Sequence, residues 1–260
     1  METPLHIASC SFGKDSIATI LLAMIHNEPI DRIVSIEVMF DNKKNISGEM
    51  PEHINWVRNY AIPKLNELLP NVPIDIIRTQ TDFIKLFTRR CGNNAKNKDR
   101  IGQMRGWIIP NHCAMNSEGK MKEIRKYYSS FDQPIIQYVG IAADEKKRLA
   151  RIEGTNKISL LEKYNLTEKD AYDLCVLYNL LSPQYRSGTR NGCWFCPNMR
   201  MKQRCIFRKE HPELWNRMKE LNDLYKDEII ARYYTFNKSF DQIEKEMDFM
   251  DRQQKLNFDQ

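Results

Sequence analysis

The sequence predicts an α/β protein on a doubly wound, mostly parallel sheet, followed by a helical, cysteine-containing C-terminal region. Two observations lead there. Short runs rich in Leu, Ile and Val alternate with amphipathic stretches in the order strand, helix, strand, helix, strand, the signature of parallel βαβ units. The first apolar run, with Leu5, Ile7 and Ala8, also turns directly into a helix through Ser9-Cys10-Ser11-Phe12-Gly13-Lys14-Asp15-Ser16. Such a turn leaves backbone N–H groups and the positive end of the helix dipole aimed at whatever lies above it.

That first loop has the make-up of an anion site. Gly13 lets the backbone approach closely, Ser11 and Ser16 offer hydroxyls, and Lys14 adds an ammonium, so phosphate is the natural guest. The plainer alternative is an ordinary strand-to-helix turn with Asp15 or Ser11 as N-cap. Two familiar phosphate loops are excluded by spacing. Gly-x-Gly-x-x-Gly is absent, and Lys14 follows Gly13 without the leading glycine and spacer of the Walker pattern.

The second strand is expected from Ile33 to Phe40, ending at Asp41, where open α/β sheets place ligand contacts. Pro51 opens an amphipathic helix through Trp56, Tyr60, Ile62 and Leu65 to Leu69, and Ile74 to Ile77 form the third strand. Between Thr88 and Arg105, Arg89, Arg90, Lys96, Lys98, Arg100 and Arg105 alternate with Gly and Asn, which reads as a mobile basic loop: a lid, a polyanion contact or a solvated face. A fourth strand runs from Pro134 to Gly140. Helices follow around Ala171, Leu174 and Cys175, from Pro212 through Trp215, Met218 and Leu221, and from Phe240 to Met250.

At 260 residues, 42% hydrophobic and 28% charged, the chain supports one substantial core and is neither disordered nor fibrous. We expect a nucleotide-binding domain over residues 1–160 and a segment 161–260 packing on the same core. No run approaches the about 20 apolar residues of a membrane span, and Met1-Glu2-Thr3-Pro4 lacks the features of a signal peptide. The expected location is the cytoplasm, with no membrane partner. A formal charge of +6 fits a polyanionic partner, nucleotide or nucleic acid.

Seven cysteines in such a chain are read as thiols, ligands or nucleophiles before disulfides. Cys175 lies in a helical pattern as a small buried hydrophobe. Cys193 and Cys196 form a Cys-x-x-Cys just before Pro197, which brings two thiolates onto one metal or makes a redox pair. Zinc and an iron–sulfur cluster both suit such thiolates, and free buried thiols are the remaining alternative.

The Ser11-Phe12-Gly13-Lys14-Asp15-Ser16 loop resembles the PP-loop of the ATP-pyrophosphatase and adenine nucleotide alpha-hydrolase superfamily, whose motif reads Ser-Gly-Gly-x-Asp-Ser. Phe12 replaces the first glycine, so its side chain must point away from the nucleotide. The resemblance implies ATP with Mg²⁺ bound at Ser11, Gly13, Lys14, Asp15 and Ser16, with Lys14 and Asp15 catalytic. It also implies Asp41 near the adenosine and Glu49 as the glutamate ahead of the second helix. Gly140, Asp144, Glu145 and Arg148 resemble the Gly-x-Arg-x-Asp-Glu-Ser-x-x-Arg stretch of the phosphoadenosine phosphosulfate (PAPS) reductase branch, with Ala142 in place of the arginine and Lys146 in place of the serine. The lost arginine argues against a site built to read a sulfated or additionally phosphorylated substrate.

Gly192-Cys193-Trp194-Phe195-Cys196-Pro197 resembles the Gly-Cys-x-x-Cys-Pro of PAPS reductase and DNA phosphorothioation relatives. Iron–sulfur members carry a Cys-Cys pair upstream, where His112-Cys113 stands here. The implied ligand set is Cys113, Cys193 and Cys196, with the fourth position open or filled by Cys205, His112 or Cys91, holding a [4Fe–4S] cluster or zinc. Three protein ligands would leave one iron free to carry sulfide or substrate. Arg148 and Arg190 become candidate phosphate contacts.

The resemblance runs from Ser11 to Trp215 and implies an enzyme that cleaves ATP to AMP and pyrophosphate by adenylylating an acceptor, for sulfur transfer. Two alternatives stand beside it. One is an APS/PAPS sulfonucleotide reductase; no cysteine follows Cys205, so Cys10, Cys91 or Cys205 would have to attack. The other is a non-catalytic nucleotide- and metal-binding module docking on nucleic acid or a partner. The acceptor, whether tRNA, DNA or a small metabolite, stays open, as does a partner protein or homo-oligomer.

Overall fold

Strands of Ile- and Val-rich sequence form the expected parallel sheet in the computed structural model, which describes residues 3–185 and 192–258. These are β1 (Leu5–Ser9), β2 (Arg32–Glu37), β3 (Ile74–Arg78), β4 (Ile135–Tyr138) and β5 (Lys157–Ile158), in the spatial order β3-β2-β1-β4-β5. Each neighbouring pair is parallel, with Ile7 opposite Arg32 on one side of β1 and Gln137 on the other. The chain order reverses beside β1, so the crevice above the carboxyl ends of β1 and β4 is the topological switch point where such sheets bind ligands. The architecture is the α/β fold that the alternating pattern predicts.

The chain falls into two compact units and crosses between them repeatedly. The first comprises Met1–Glu37, Glu49–Thr79 and Lys120–Asn191; the second comprises Val38–Gly48, Gln80–Gly119 and Gly192–Gln260. The boundary expected at residue 160 therefore lies inside the first unit, and the C-terminal helices belong to the second. The second strand also differs from expectation. It stops at Glu37, and Met39–Asp41 instead pairs antiparallel with Ile46–Ser47 in the second unit. Glu37 marks the stop physically: its buried carboxylate accepts from Arg58 at 2.6 Å and Arg78 at 3.2 Å, an arrangement that an apolar run does not announce.

In the first unit α1 (Lys14–Ile25) is buried from Ser16 to Ala23 and packs against α2 (Glu168–Leu177). A helix apolar nearly all round belongs inside, and this one is central to the core. Residues 51–68 form one helical run with a widened turn at Val57–Ala61. Pro63 just beyond it has no N–H for the preceding turn, which accounts for the widening. Asn27 and Asn179, with φ of 52° and 55°, end α1 and α2, and the amides of Glu28 and Leu180 close back on the carbonyls of Ala23 and Cys175. Asn supplies the left-handed residue such helix ends require.

The second unit has an aromatic core of its own. Phe83 stacks at 5.2 Å on Phe40 and 4.4 Å from Phe195, and Trp107 stacks at 5.3 Å on Phe240. Helices α3 (Met201–Glu210), α4 (Pro212–Tyr225) and α5 (Phe240–Phe258) follow. The stretch expected to be a mobile basic loop is instead tied across its base, since Cys91 and Gln103 share a 2.9 Å backbone bond and Arg105 N donates to Arg89 O at 2.8 Å. Arg89 and Arg105 both reach Glu118, so part of its charge is already met. Among the described residues no helix is long and apolar enough to cross a membrane.

Candidate nucleotide loop and cysteine site

Residues 10–16 bridge the end of β1 and the first turn of α1. Cys10 N keeps a 2.8 Å sheet bond to Val34 O, but the amides of residues 11–14 meet only weak neutral acceptors. Ser11 N donates to Ser16 Oγ at 3.2 Å, Phe12 N to Cys10 Sγ at 3.3 Å, Gly13 N to Ser11 Oγ at 3.4 Å, and Lys14 N to Tyr185 Oη at 3.1 Å. Helix geometry leaves the amides of Asp15 and Ser16 without intrahelical acceptors. Hydroxyls rotate aside easily, so a phosphate oxygen could take their place and gain charge-assisted bonds. The residues present therefore fit a polyphosphate.

Phe12 adopts φ 55° and is buried in the core of the first unit, so the side chain that replaces the motif glycine does point away from the loop mouth. Gly140, just past β4, lies against the first turn of α1. A Cβ there would come within 2.7 Å of Asp15 C and Ser16 N. The close approach of the two backbones thus leaves no room for a side chain at this position.

At the mouth, Lys14 Nζ is 2.6 Å from Asp15 Oδ1 and 3.6 Å from Glu168 Oε2. Burial by itself would lower the Lys14 pKa, but the Asp15 and Glu168 carboxylates outweigh it and hold the ammonium charged above its usual range. The Asp15 carboxyl also sits above its usual range: burial raises it more than the Lys14 bond lowers it, and Glu168 and Glu145 add repulsion. One ammonium among these carboxylates leaves a surplus of negative charge, which suits a divalent cation arriving with a polyphosphate. Arg148 is paired to Glu145 at 2.6 Å and is exposed. Asp144 caps α2 through Glu168 N at 3.2 Å.

Two supports of the loop come from distant segments that the sequence does not connect with it. His53 is buried, with Nδ1 2.9 Å from Ser182 Oγ and Nε2 3.3 Å from Ser11 O. Burial pushes its pKa down. The Ser11 carbonyl can only accept, so Nε2 carries the proton and Nδ1 accepts from Ser182. Cys175 Sγ donates to Lys14 O at 3.2 Å and is buried as expected. Burial pushes the Cys10 thiol up to about 11 and also raises that of Cys205, so neither is a ready nucleophile.

Asp41 lies in the second unit, outside the parallel sheet, where Oδ1 accepts from Lys43 N at 2.9 Å and Lys44 N at 3.2 Å as a turn cap. Glu49 belongs to the first unit, 3.6 Å from Lys120. Arg190 lies outside the described residues.

Cys91, Cys113, Cys193, Cys196 and Cys205 all fall in the second unit. The turn Cys193-Trp194-Phe195-Cys196 closes with Cys196 N donating to Cys193 O at 3.0 Å. Its middle residues are buried: Trp194 N and Nε1 donate to Gly48 O and Ser47 O, and Phe195 packs on Phe83. Sinking both aromatics leaves Cys193 and Cys196 half-buried at the rim. Cys113 is exposed and Cys205 is buried on α3. Among the described residues no three of these sulfurs lie within 4.8 Å of one another. Beside Cys196, Arg204 Nη2 donates to Pro197 O at 2.6 Å, and its guanidinium lies 5.0 Å over the Tyr234 ring. Burial pushes the Tyr234 hydroxyl up to about 12, so it is a proton donor at neutral pH. A thiolate-bound anionic centre fits this donor-rich setting. Sequence reading missed Arg204, although a charged residue on an otherwise apolar helix stripe beside Cys205 and Phe207 was a visible signal.

No protein-family model matches the chain, and no curated protein does. Among solved structures it is similar to the U34-tRNA thiolase NcsA from Methanococcus maripaludis with its [4Fe-4S] cluster. The two are 16% identical, over 90% of this chain and 71% of that one, with a TM-score of 0.38.

Proposed function

We propose that the chain is a PP-loop enzyme of the PAPS reductase-like type that binds ATP over the amino end of α1 and cleaves it between the α- and β-phosphates. The observation that carries this reading is the 10–16 loop at the switch point of the sheet, with weakly engaged amides, Lys14 at its mouth and Gly140 fitted against its helix. An acceptor oxygen attacks the α-phosphorus, the bond to the bridging oxygen of the β-phosphate breaks, and pyrophosphate leaves. Lys14 and the loop amides hold the charge that develops there, and Asp15 with its neighbouring carboxylates holds the accompanying Mg²⁺. A sulfur nucleophile then displaces AMP from the adenylylated acceptor.

Cys113, Cys193 and Cys196 would hold a [4Fe–4S] cluster, which when bound supplies a site for sulfide; Cys205, His112, Cys91 or an open position would complete it, and zinc is the competing metal. A nucleic acid, tRNA or DNA, or a small metabolite is the acceptor class. The reductase alternative narrows to Cys91, which is half-buried, because Cys10 and Cys205 are buried with raised thiols.

The test is release of AMP and pyrophosphate from ATP with tRNA, DNA and small-molecule acceptors. Lys14→Ala should lower turnover about 100-fold or more, the scale of losing one donor to a developing oxyanion. If Lys14→Ala weakened ATP binding and no acceptor elicited AMP from the parent chain, the protein would be a binding module. Sulfite release from APS or PAPS with a thiol donor would instead establish the reductase.

A further inference from the structure

Three donors in the second unit are buried without an acceptor: the Tyr234 hydroxyl, Nε of Arg204 and Nε1 of Trp107. They are neighbours. The Trp107 and Tyr234 rings are 4.7 Å apart, and the Arg204 guanidinium lies 5.0 Å from the centre of the Tyr234 ring. The arginine is anchored at 2.6 Å to the carbonyl of Pro197, the residue after Cys196. Tyr234 and Arg204 are 1% and 3% exposed, and among the described residues no carboxylate pairs with that guanidinium.

An unpaired buried charge costs several kcal/mol and an unpaired hydroxyl about 1–3 kcal/mol. Arginine and tryptophan side chains can only donate, and a protonated phenol donates as well. The group that would satisfy them is therefore an acceptor, and beside a guanidinium it is an anion. Cys196 is half-buried, precedes the Pro197 carbonyl that Arg204 holds and interacts electrostatically with Tyr234, and its sulfur would become anionic on ligating a metal.

We propose that Tyr234 and Arg204 are positioning residues for the cysteine centre, donating hydrogen bonds to the sulfur atoms of an anionic metal–sulfur group held through Cys196 and Cys193. The inference rests on reading the Cys-x-x-Cys as a metal centre and deepens it, because it states what sets the grip and potential of that centre. Neither residue is a ligand. Each stabilises negative charge on sulfur, and Arg204 also fixes the turn through Pro197.

The test uses the full chain reconstituted without oxygen with ferrous iron and sulfide, beside Tyr234→Phe, Arg204→Met and Arg204→Lys. Tyr234→Phe removes a hydroxyl whose proton meets no acceptor and keeps the ring. Its metal-free form should melt at the parent temperature or above, while its loaded form should lose iron to a chelator about tenfold faster or more, the scale seen on removing partners of metal ligands. Its midpoint potential should fall, since a donor that favours the more negative, reduced state has gone. Arg204→Met should fall further and Arg204→Lys should recover part of the shift.

Variants that hold iron as the parent does, at the parent potential, would overturn the proposal and leave the cysteine reading intact. A metal-free Tyr234→Phe that melts well below the parent would overturn it by assigning the hydroxyl a structural bond. If the parent takes up no iron or sulfide, the metal-centre reading fails and this inference with it, while AMP release still decides the nucleotide loop.

Discussion

Phe12 holds φ 55°, a left-handed backbone conformation that costs a side-chain-bearing residue about 1–2 kcal/mol. Its ring is buried in the core, and the packing offsets the strain. Phe12→Gly restores the motif glycine and empties that site, a truncation that ordinarily costs about 3–5 kcal/mol. We expect a net loss of about 2–3 kcal/mol in urea unfolding, after relief of the backbone cost. ATP affinity measured by calorimetry should stay within a few-fold, because the ring points away from the loop mouth; its collapse would show that Phe12 shapes the site directly. Gly140 is the opposite case. A methyl there meets backbone atoms of Asp15 and Ser16 at 2.7 Å, and a helix start cannot yield as a flexible side chain can. Gly140→Ala should therefore lower ATP affinity about tenfold or more, as overpacking of about 1–3 kcal/mol displaces the first turn of α1. Gly92→Ala, with nothing within 4 Å of the new methyl, is the control that should bind as the parent does.

At the scale of elements, the Cys-Trp-Phe-Cys turn is an anchor with a half-buried thiol at each end. Phe195→Ala should destabilise the second unit by about 3–5 kcal/mol and speed iron loss from reconstituted protein, because Phe195 is one of the two buried side chains, with Trp194, that pin the middle of the turn. Parent-like iron retention in a destabilised Phe195→Ala chain would detach the anchor from the metal. Gly48 belongs to the same device, since a Cβ there would lie 2.7 Å from Phe195 Cε1. The first loop, α1, β3, β4 and α4 were legible in the sequence because each is contiguous and its period is strong. The end of β2 was not, because an apolar run carries no mark of where one sheet stops and another ribbon begins. Helix α3 was hidden by its charges: of its buried residues, one is Arg204. Ser11 to Ser16 could be read as a phosphate loop, whereas His53 and Tyr185, which hold it, come from far along the chain and declare themselves only in three dimensions.

Across the whole molecule, the division into two interleaved units was invisible in composition: of the five crossings, near residues 37, 48, 79, 119 and 191, the first four carry no long run of Gly, Pro or Ser to mark a linker, and the Ser187-Gly188 and Gly192 at the last do not announce the others. Proton uptake is the property that sums over the whole chain. His53 has a folded pKa below its ordinary 6.5 because of burial, although Glu49 and the Ser11 carbonyl work against the shift and Lys120 assists it. As pH falls below 6.5 the unfolded chain takes up a proton that the folded chain resists, so stability drops through that window. Asp75 and Asp251, held low by Arg32 with Tyr127 and by Lys209 with Arg208 despite some burial, extend the loss at pH below their ordinary 3.8. Asp15 acts in the opposite sense, since its raised carboxyl binds a proton more readily folded than unfolded. The first limb of acid destabilisation should therefore belong to His53. Urea midpoints at about pH 7.5 and about pH 5.5 should separate for the parent chain and converge for His53→Gln, whose amide can keep both bonds without a titrating ring. An undiminished pH gap in His53→Gln would mean that another group opens the acid limb and that His53 supports the loop without sensing pH.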